Sequence, residues 1–327
     1  MCLVAIAIDQ HRRFPLVVAS NRDEYFDRPT ARLAWWAPRP GDPLVLGGRD
    51  LESGGTWMGL TAQGRLAMLT NKRDARPADP AAPSRGQIVT DWLAAREPTG
   101  SFWMRTSLSG YNGFNLIAAD FKKGECFWGT GAEPPRALGR GIHGVSNGGL
   151  DAPWPKVTAL KARLAVAVAS AASADALAAQ LFAALADRTL AADDALPRTG
   201  VALERERQLS PAFILTPDLR YGTRCSTLVI AEKIGRNLVT HMYERSFSAG
   251  GSVALLRHSM LRNWPPRYGE AETLASADPG EVSESESDQT DGVQAASKAT
   301  ARPRARVRSL LKPTRPRRRA KPVPGVA

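Results

Sequence analysis

The sequence predicts an α+β protein: two β-sheets packed together, with helices on the outside. Three observations predict it. β-rich segments cluster at both ends of the body of the chain rather than alternating singly with helices, and the order reads strands, helix, strands, helices, strands. There is no phosphate-loop glycine motif and no internal repeat, so neither a nucleotide-binding α/β unit nor a solenoid fits. The body, residues 1–268, is long enough to bury a sizeable core, and 43% of the 327 residues are hydrophobic.

The opening is a hairpin. Leu3–Ile8 is β-rich, Asp9 to Arg13 is polar, and Phe14–Ala19 is β-rich again. Further strands are expected at Pro43–Gly47, Thr56–Thr61 and Arg65–Thr70, with Gln63-Gly64 as a turn. Ser84 reads as the N-cap of a helix running to about Ala95. Phe114–Phe121 and Glu125–Gly129 form a second hairpin around Lys122-Lys123-Gly124. Pro153 and Pro155 mark a helix start, and Leu160, Leu164, Ala167 and Val168 follow at helical spacing. A second helix is expected over Ala174–Ala186, and strands return at Pro211–Thr216, Thr223–Ala231 and Leu238–Phe247.

Residues 269–327 read as a separate disordered tail. They hold 8 acidic and 11 basic residues, no aromatic residue, and only 8 of Leu, Ile, Val or Phe, too few to offset the entropy of ordering. Glu270–Asp291 is acidic and Lys298–Lys321 is basic and Pro-rich. A basic tail is also the footprint of a nucleic-acid contact, but without aromatic side chains to stack on bases no specific nucleic-acid binding is expected. Truncating the tail would test that reading.

Composition excludes several classes. The longest apolar runs are far short of the roughly 18–20 residues that span a bilayer, so no transmembrane segment is expected. The N-terminus lacks the basic start and long apolar stretch of a signal peptide. Three cysteines (Cys2, Cys126, Cys225) imply no disulfide framework, and four histidines show no ligand spacing, so no metal or cofactor is expected. A cytoplasmic location follows as the default.

Cys2 is the residue with the most chemistry. Removal of Met1 would give it a thiol and a free α-amine on one carbon. An α-amine titrates near ~7.7–8.0, so a good fraction acts as a base at neutral pH. A thiolate is a strong nucleophile once a base or cation lowers its pKa. If the hairpin turn centres between residues 11 and 12, Cys2 lies opposite Asn21, beside Arg22 and Asp23, within a register error of a residue or two. A guanidinium there favours the thiolate, and a carboxylate holds the α-amine or a substrate donor.

These residues resemble a known family. Met1-Cys2 followed by Asn21-Arg22-Asp23-Glu24, with Gly54-Gly55-Thr56-Trp57-Met58-Gly59 and Thr70-Asn71-Lys72-Arg73, is similar to the NRDE family, also called the transport and Golgi organisation protein 2 family. The resemblance covers residues 1–264. It implies an N-terminal-nucleophile (Ntn) hydrolase-like fold, a four-layer αββα sandwich of two antiparallel sheets. More distantly, the chain resembles the cysteine Ntn amidases that include penicillin V acylase and bile salt hydrolase. That resemblance implies Asn71 as an oxyanion donor, Asn147 ahead of a helix as a second site asparagine, and Arg224 as a late site arginine. The amidases carry an Arg-Asn-x-Asp run. Here Asn21 and Asp23 fit it, but Ser20 takes the arginine's place and Arg22 directly precedes Asp23. Either Arg22 does the same job from an irregular loop, or thiolate activation differs, or amidase activity is lost.

Two functions follow. One is hydrolysis of a small non-peptide amide or thioester, such as an acyl-CoA, through Cys2. The other is a non-catalytic carrier or trafficking protein for haem or an acyl-CoA or lipid-like ligand, because family members have been linked to haem handling, lipid metabolism and secretory organisation.

Overall fold

The computed structural model describes residues 2–266 together with the backbone of 283–285. The chain first lays down β1 (Cys2–Ile8) and β2 (Leu16–Tyr25), then crosses to a second sheet through β3 (Thr30–Trp36), β4 (Val45–Asp50), β5 (Met58–Thr61) and β6 (Arg65–Asn71). Two helices, α1 (Gly86–Ala94) and α2 (Thr99–Leu108), precede β7 (Phe114–Asp120), β8 (Glu125–Thr130) and the short β9 (Arg136–Ala137). The chain then rejoins the first sheet at β10 (Gly141–Val145), adds α3 (Pro155–Ser170), α4 (Ala174–Leu185) and α5 (Leu203–Gln208), and finishes that sheet with β11 (Tyr221–Ile234), β12 (Asn237–Phe247), β13 (Val253–Arg262) and β14 (Ser283–Ser285).

Both sheets are antiparallel, in the orders β10-β1-β2-β11-β12-β13-β14 and β3-β4-β5-β6-β7-β8-β9. Alternation along β1 divides its side chains between two cores. Val4 and Ile6 point between the sheets and meet Leu60, Leu66 and Met68. Leu3, Ala5 and Ala7 point outward to Leu160, Leu164 and Leu181 of α3 and α4. A third core, with Trp92, Phe102 and Trp103, seats α1 and α2 on the second sheet. The result is the four-layer αββα sandwich that the resemblance implies.

The opening hairpin is one register step from expectation. Asp9 takes a left-handed conformation (φ 51°) and its N–H donates to the Pro15 carbonyl at 2.7 Å, so the loop closes over residues 9–15. Cys2 therefore faces Arg22, not Asn21. Other expectations change as well. Ser84 does not cap α1. Arg85 is the N-cap and makes no side-chain cap bond. Pro211–Thr216 is irregular rather than a strand; its one ladder contact is the bridge Leu215–Gly222, and Ile214 N–H donates to the Thr223 hydroxyl at 2.9 Å. The strands β3, β10 and β13 and the helices α2 and α5 carried no clear sequence signal. The boundary at 268/269 and most of the tail lie outside the described residues; within the tail, Ser283–Ser285 pairs with β13 as β14, where no strand was expected. Among the described residues no helix is long and apolar enough to cross a membrane.

Candidate functional site

The open end of the β1–β2 hairpin forms one wall of a cavity of about 640 Å³. Cys2, Arg22, Asp23 and Asn71 all line it, as do Glu24, Asp50, Trp57, Arg85, Arg205 and Tyr221. Four of the six site residues expected from the sequence thus converge on one space.

Strand alternation explains how adjacent Arg22 and Asp23 both contribute. Arg22 shares the face of its partner Cys2 and turns between the sheets, where its guanidinium lies 4.4 Å from the centre of the Trp57 ring. It also donates to the Thr30 hydroxyl at 3.3 Å and stands 3.9 Å from Asp50 and 4.0 Å from Glu24. Asp23 turns the other way, towards the helices. The ladder to β11 is bulged between Thr223 and Cys225, and the Thr223 hydroxyl donates to Asp23 Oδ1 at 2.7 Å. The Tyr221 hydroxyl donates to the Asp23 carbonyl at 2.9 Å. Arg22 thus lies opposite Cys2 on the regular strand β2 rather than on an irregular loop, and Asp23 beside it turns to the other face.

Burial pushes the Cys2 thiol up, and the charge of Asp23 adds to that; Arg22 and the Asp23 backbone N–H, which donates to the sulfur, pull it back down. Burial also pushes the Asp23 carboxyl up, while Lys156 and the Thr223 hydroxyl oppose the rise. Lys156, on the first turn of α3, was not singled out from the sequence. It is buried, donates to the Leu209 carbonyl at 2.9 Å, and is lowered to about 8 by that burial. Its signal was its place on the apolar stripe of α3, one turn ahead of Leu160.

Asn71 lines the cavity, and its side-chain amide has no hydrogen-bond partner among the described residues. Asn147 and Arg224 do not line it. Asn147 donates to the Asn71 carbonyl at 2.7 Å, while its own carbonyl accepts from the Arg73 N–H at 2.7 Å, so it braces the turn that presents Asn71. Its neighbour Ser146 donates to the Cys2 carbonyl at 3.0 Å, fixing the end of β1. Arg224 sits in the bulge, where it donates to the Tyr25 and Arg28 carbonyls and lies 5.5 Å from the Phe26 ring centre. Both residues support the site from outside it. None of the four histidines lines the cavity; His143 is held by Asp151 and the Gly139 carbonyl. Burial pushes the Cys126 thiol up to about 12, which leaves it inert at neutral pH.

The glycine-rich motif has a steric reason. Gly54 is left-handed (φ +76°), which a residue with a Cβ tolerates poorly. A Cβ on Gly55 would sit 2.5 Å from the Gly86 carbonyl carbon and 2.6 Å from its oxygen. The motif thus lets the start of α1 dock on the cavity wall. In Gly55→Ala that helix start must move, which costs about 1–3 kcal/mol. Thermal unfolding should fall by several degrees, and an unchanged midpoint would contradict the tight contact.

A family model described as Transport and Golgi organisation 2 matches residues 1–249. The chain belongs to that family. Among its relatives, the transport and Golgi organization protein 2 homolog of Bos taurus is 33% identical over 287 residues, covering 82% of this chain and 96% of that protein. The corresponding homolog of Homo sapiens is 32% identical over 252 residues, covering 72% of this chain and 90% of its own length. The family match spans the Cys2 hairpin, the Asn71 turn, α3 and the β11 bulge, so every residue that lines the cavity lies inside it. A solved structure, the mutant C2A conjugated bile acid hydrolase from Clostridium perfringens, aligns with TM-score 0.41 and 9% identity over 90% of this chain and 99% of that one.

Proposed function

We propose that this protein is an acyl-transfer hydrolase that uses Cys2, freed as the first residue by loss of Met1, on a small amide or thioester. The single observation that carries the reading is the pairing of Cys2 with Arg22 at the mouth of a cavity that Asp23 also lines. The Cys2 α-amine takes the thiol proton, and the sulfur attacks the substrate carbonyl to form a C–S bond. The carbon–nitrogen or carbon–sulfur bond of the leaving group then breaks, and the amine returns its proton to that leaving group. Water hydrolyses the resulting thioester, releasing the acid and restoring the thiol. The free amide of Asn71 is suited to donating to the oxyanion, a role typically worth about 3–4 kcal/mol.

The wall also suggests the substrate's polar end. Arg22 and Arg28 face Asp50, whereas Arg85 and Arg205 line the cavity with no carboxylate within ion-pair distance among the described residues. Arg85 donates to the Gly113 carbonyl at 3.1 Å, and burial lowers its guanidinium from the usual range. An acidic group on the ligand would meet it. Arg85→Met should therefore slow acylation by a carboxylate-bearing acyl donor by roughly tenfold, a loss of about 1.4 kcal/mol, relative to a neutral donor of equal size. Equal slowing of both donors would remove Arg85 from recognition.

A carrier reading rests on a different observation. Cys2 is only 8% exposed and its thiol is raised, which suits a protected side chain better than a reactive one. Intact-mass measurement after exposure to aryl esters and acyl-CoA thioesters separates the two. A chain lacking Met1 that gains one acyl group on Cys2 supports the hydrolase. Retained Met1 with reversible acyl-CoA binding and no adduct supports the carrier and ends the enzymatic reading.

A further inference from the structure

We propose that Trp57 is a positioning residue for Cys2: its indole face holds the Arg22 guanidinium opposite the thiol and off two carboxylates that would otherwise take that charge. The inference rests on the acyl-transfer reading for the use made of the thiolate, although the contact itself needs neither a substrate nor a free Cys2 amine.

Arg22 is loosely partnered for so buried a cation. It is 4% exposed, and a buried charge is costly unless it is paired and hydrogen-bonded. Among the described residues its hydrogen bond is to the Thr30 hydroxyl, long at 3.3 Å. Glu24 and Asp50 stand 4.0 Å and 3.9 Å away. That is about 1 Å beyond the reach of a charge-assisted hydrogen bond. Both carboxylates are engaged elsewhere. Asp50 accepts from Arg28 Nε at 2.8 Å and from the Glu52 and Ser53 N–H groups at 3.0 and 3.2 Å. Glu24 accepts from the Tyr25 N–H at 3.0 Å. The close partner is the Trp57 ring, whose centre lies 4.4 Å from the guanidinium carbon. Tryptophan is the strongest aromatic partner for a cation, and the attraction grows when both are removed from water.

The chain builds a seat for that ring. The Trp57 carbonyl accepts from the Leu69 N–H at 2.8 Å, and the neighbouring Thr56 hydroxyl donates to the Gly48 carbonyl at 2.7 Å. A Cβ on Gly48 would lie 2.3 Å and 2.4 Å from Cη2 and Cζ2 of the indole, so the edge of the ring rests on the β4 backbone. Arg22, in turn, is the ladder partner of Cys2, shares its face and lines the same cavity. Directly opposed strand residues have Cβ atoms about 4.5–5.5 Å apart, within reach of a long side chain. Its partner on β11, Cys225, does not line the cavity, so Cys2 is the thiol placed to use the charge. Without the ring, the guanidinium needs only a small swing to bond Asp50 or Glu24, and the thiolate then loses its cation.

The test is alkylation of Cys2 by iodoacetamide in the full-length chain, followed against pH and read by the mass of the N-terminal peptide. The variants are Trp57→Leu, Trp57→Phe, Gly48→Ala and Arg22→Met, with Trp57→Leu and Gly48→Ala each also combined with Arg22→Met. Other groups face the thiol: the N-terminal amine and Asp23, Tyr221 and Cys225 of β11, Lys156 of α3, and Arg85 ahead of α1. Arg224 and Glu244 face Arg22 besides Glu24 and Asp50. All are common to the parent and the Trp57 and Gly48 variants, so a difference between these reports the ring and the cation. In Trp57→Leu the half-maximal pH of alkylation should move up by about one unit, and the rate at neutral pH should fall about tenfold. Trp57→Phe keeps a ring face and should retain most of the rate. Gly48→Ala closes the seat and should move the midpoint in the same direction. In the Arg22→Met background neither change should move it further. A midpoint unchanged in Trp57→Leu, or one that moves equally with and without Arg22, overturns the proposal and leaves Trp57 as cavity wall. Should Trp57→Leu not fold, Gly48→Ala completes the same cycle. If the coupling holds but the parent forms no acyl adduct, the hydrolase reading fails and the contact stands. If the adduct forms without the coupling, the role of Trp57 fails alone.

Discussion

Cys2→Ala should abolish acyl-adduct formation, lowering turnover of any true substrate by at least about a thousandfold, because the nucleophile has no substitute within reach. The fold should survive. Cys2 sits at the end of β1, its carbonyl is pinned by Ser146, and alanine keeps that backbone while removing one sulfur from a cavity wall. Thermal stability should change by less than about 1 kcal/mol, since little buried volume is lost. Cys2→Ser is the more discriminating change. It keeps the α-amine, Arg22 and Asp23 in place and alters only the attacking atom. Serine should slow the acylation step sharply while leaving ligand affinity within about threefold of the parent, as expected when a transition-state interaction is removed and ground-state binding is kept. The pair of variants is read by adduct mass and by ligand-induced stabilisation. Full turnover in Cys2→Ala would end the mechanism, whatever the binding result.

Much of this site was legible before any coordinates. The hairpin could be read because strands of strict β-rich composition flank a polar loop, and that alone brought Cys2 to within one register step of Arg22. The step itself was not legible, since it depends on the left-handed turn at Asp9 and its bond to Pro15. Asn71 was placed by its position at the end of a strand. Arg224 and Asn147 were drawn into the site by motif resemblance, yet their actual bonds are to backbone carbonyls that brace it. Sequence spacing gives proximity to a loop but does not say which way a side chain turns from a bulge. Lys156 was invisible for the opposite reason. A lysine on a helix reads as a solvated charge, and only the packing of α3 over β1 turns it into a buried one. The irregular Pro211–Thr216 segment misled because its apolar residues are buried without a ladder, held instead by Thr223 and by Asp187.

The second large effect concerns the ion pair beside the site. Arg73 and Glu206 pair at side-chain exposures of 5% and 2%, and Glu206 also accepts from the Thr199 hydroxyl. The Arg73 guanidinium stacks 4.8 Å from the centre of the Trp154 ring, so the pair clamps α5 against the N-cap of α3. Two effects compete when one partner is removed. The net worth of a buried pair is small, because desolvation nearly cancels the attraction. Leaving the other charge buried and uncompensated is far costlier, about 3–5 kcal/mol, and this term wins. Glu206→Ala should therefore lower the thermal midpoint by roughly 10 °C. The uncompensated guanidinium also adds its repulsion to Lys156, which Arg73 already disfavours. The double change Arg73→Met with Glu206→Leu removes both charges and should recover most of the lost stability. Equal loss in the single and the double variant would mean that shape, not charge, holds α5 in place. Recovery of stability without recovery of Cys2 acylation would show that Arg73, through the Asn147 turn that carries Asn71, does more for the site than hold the helix.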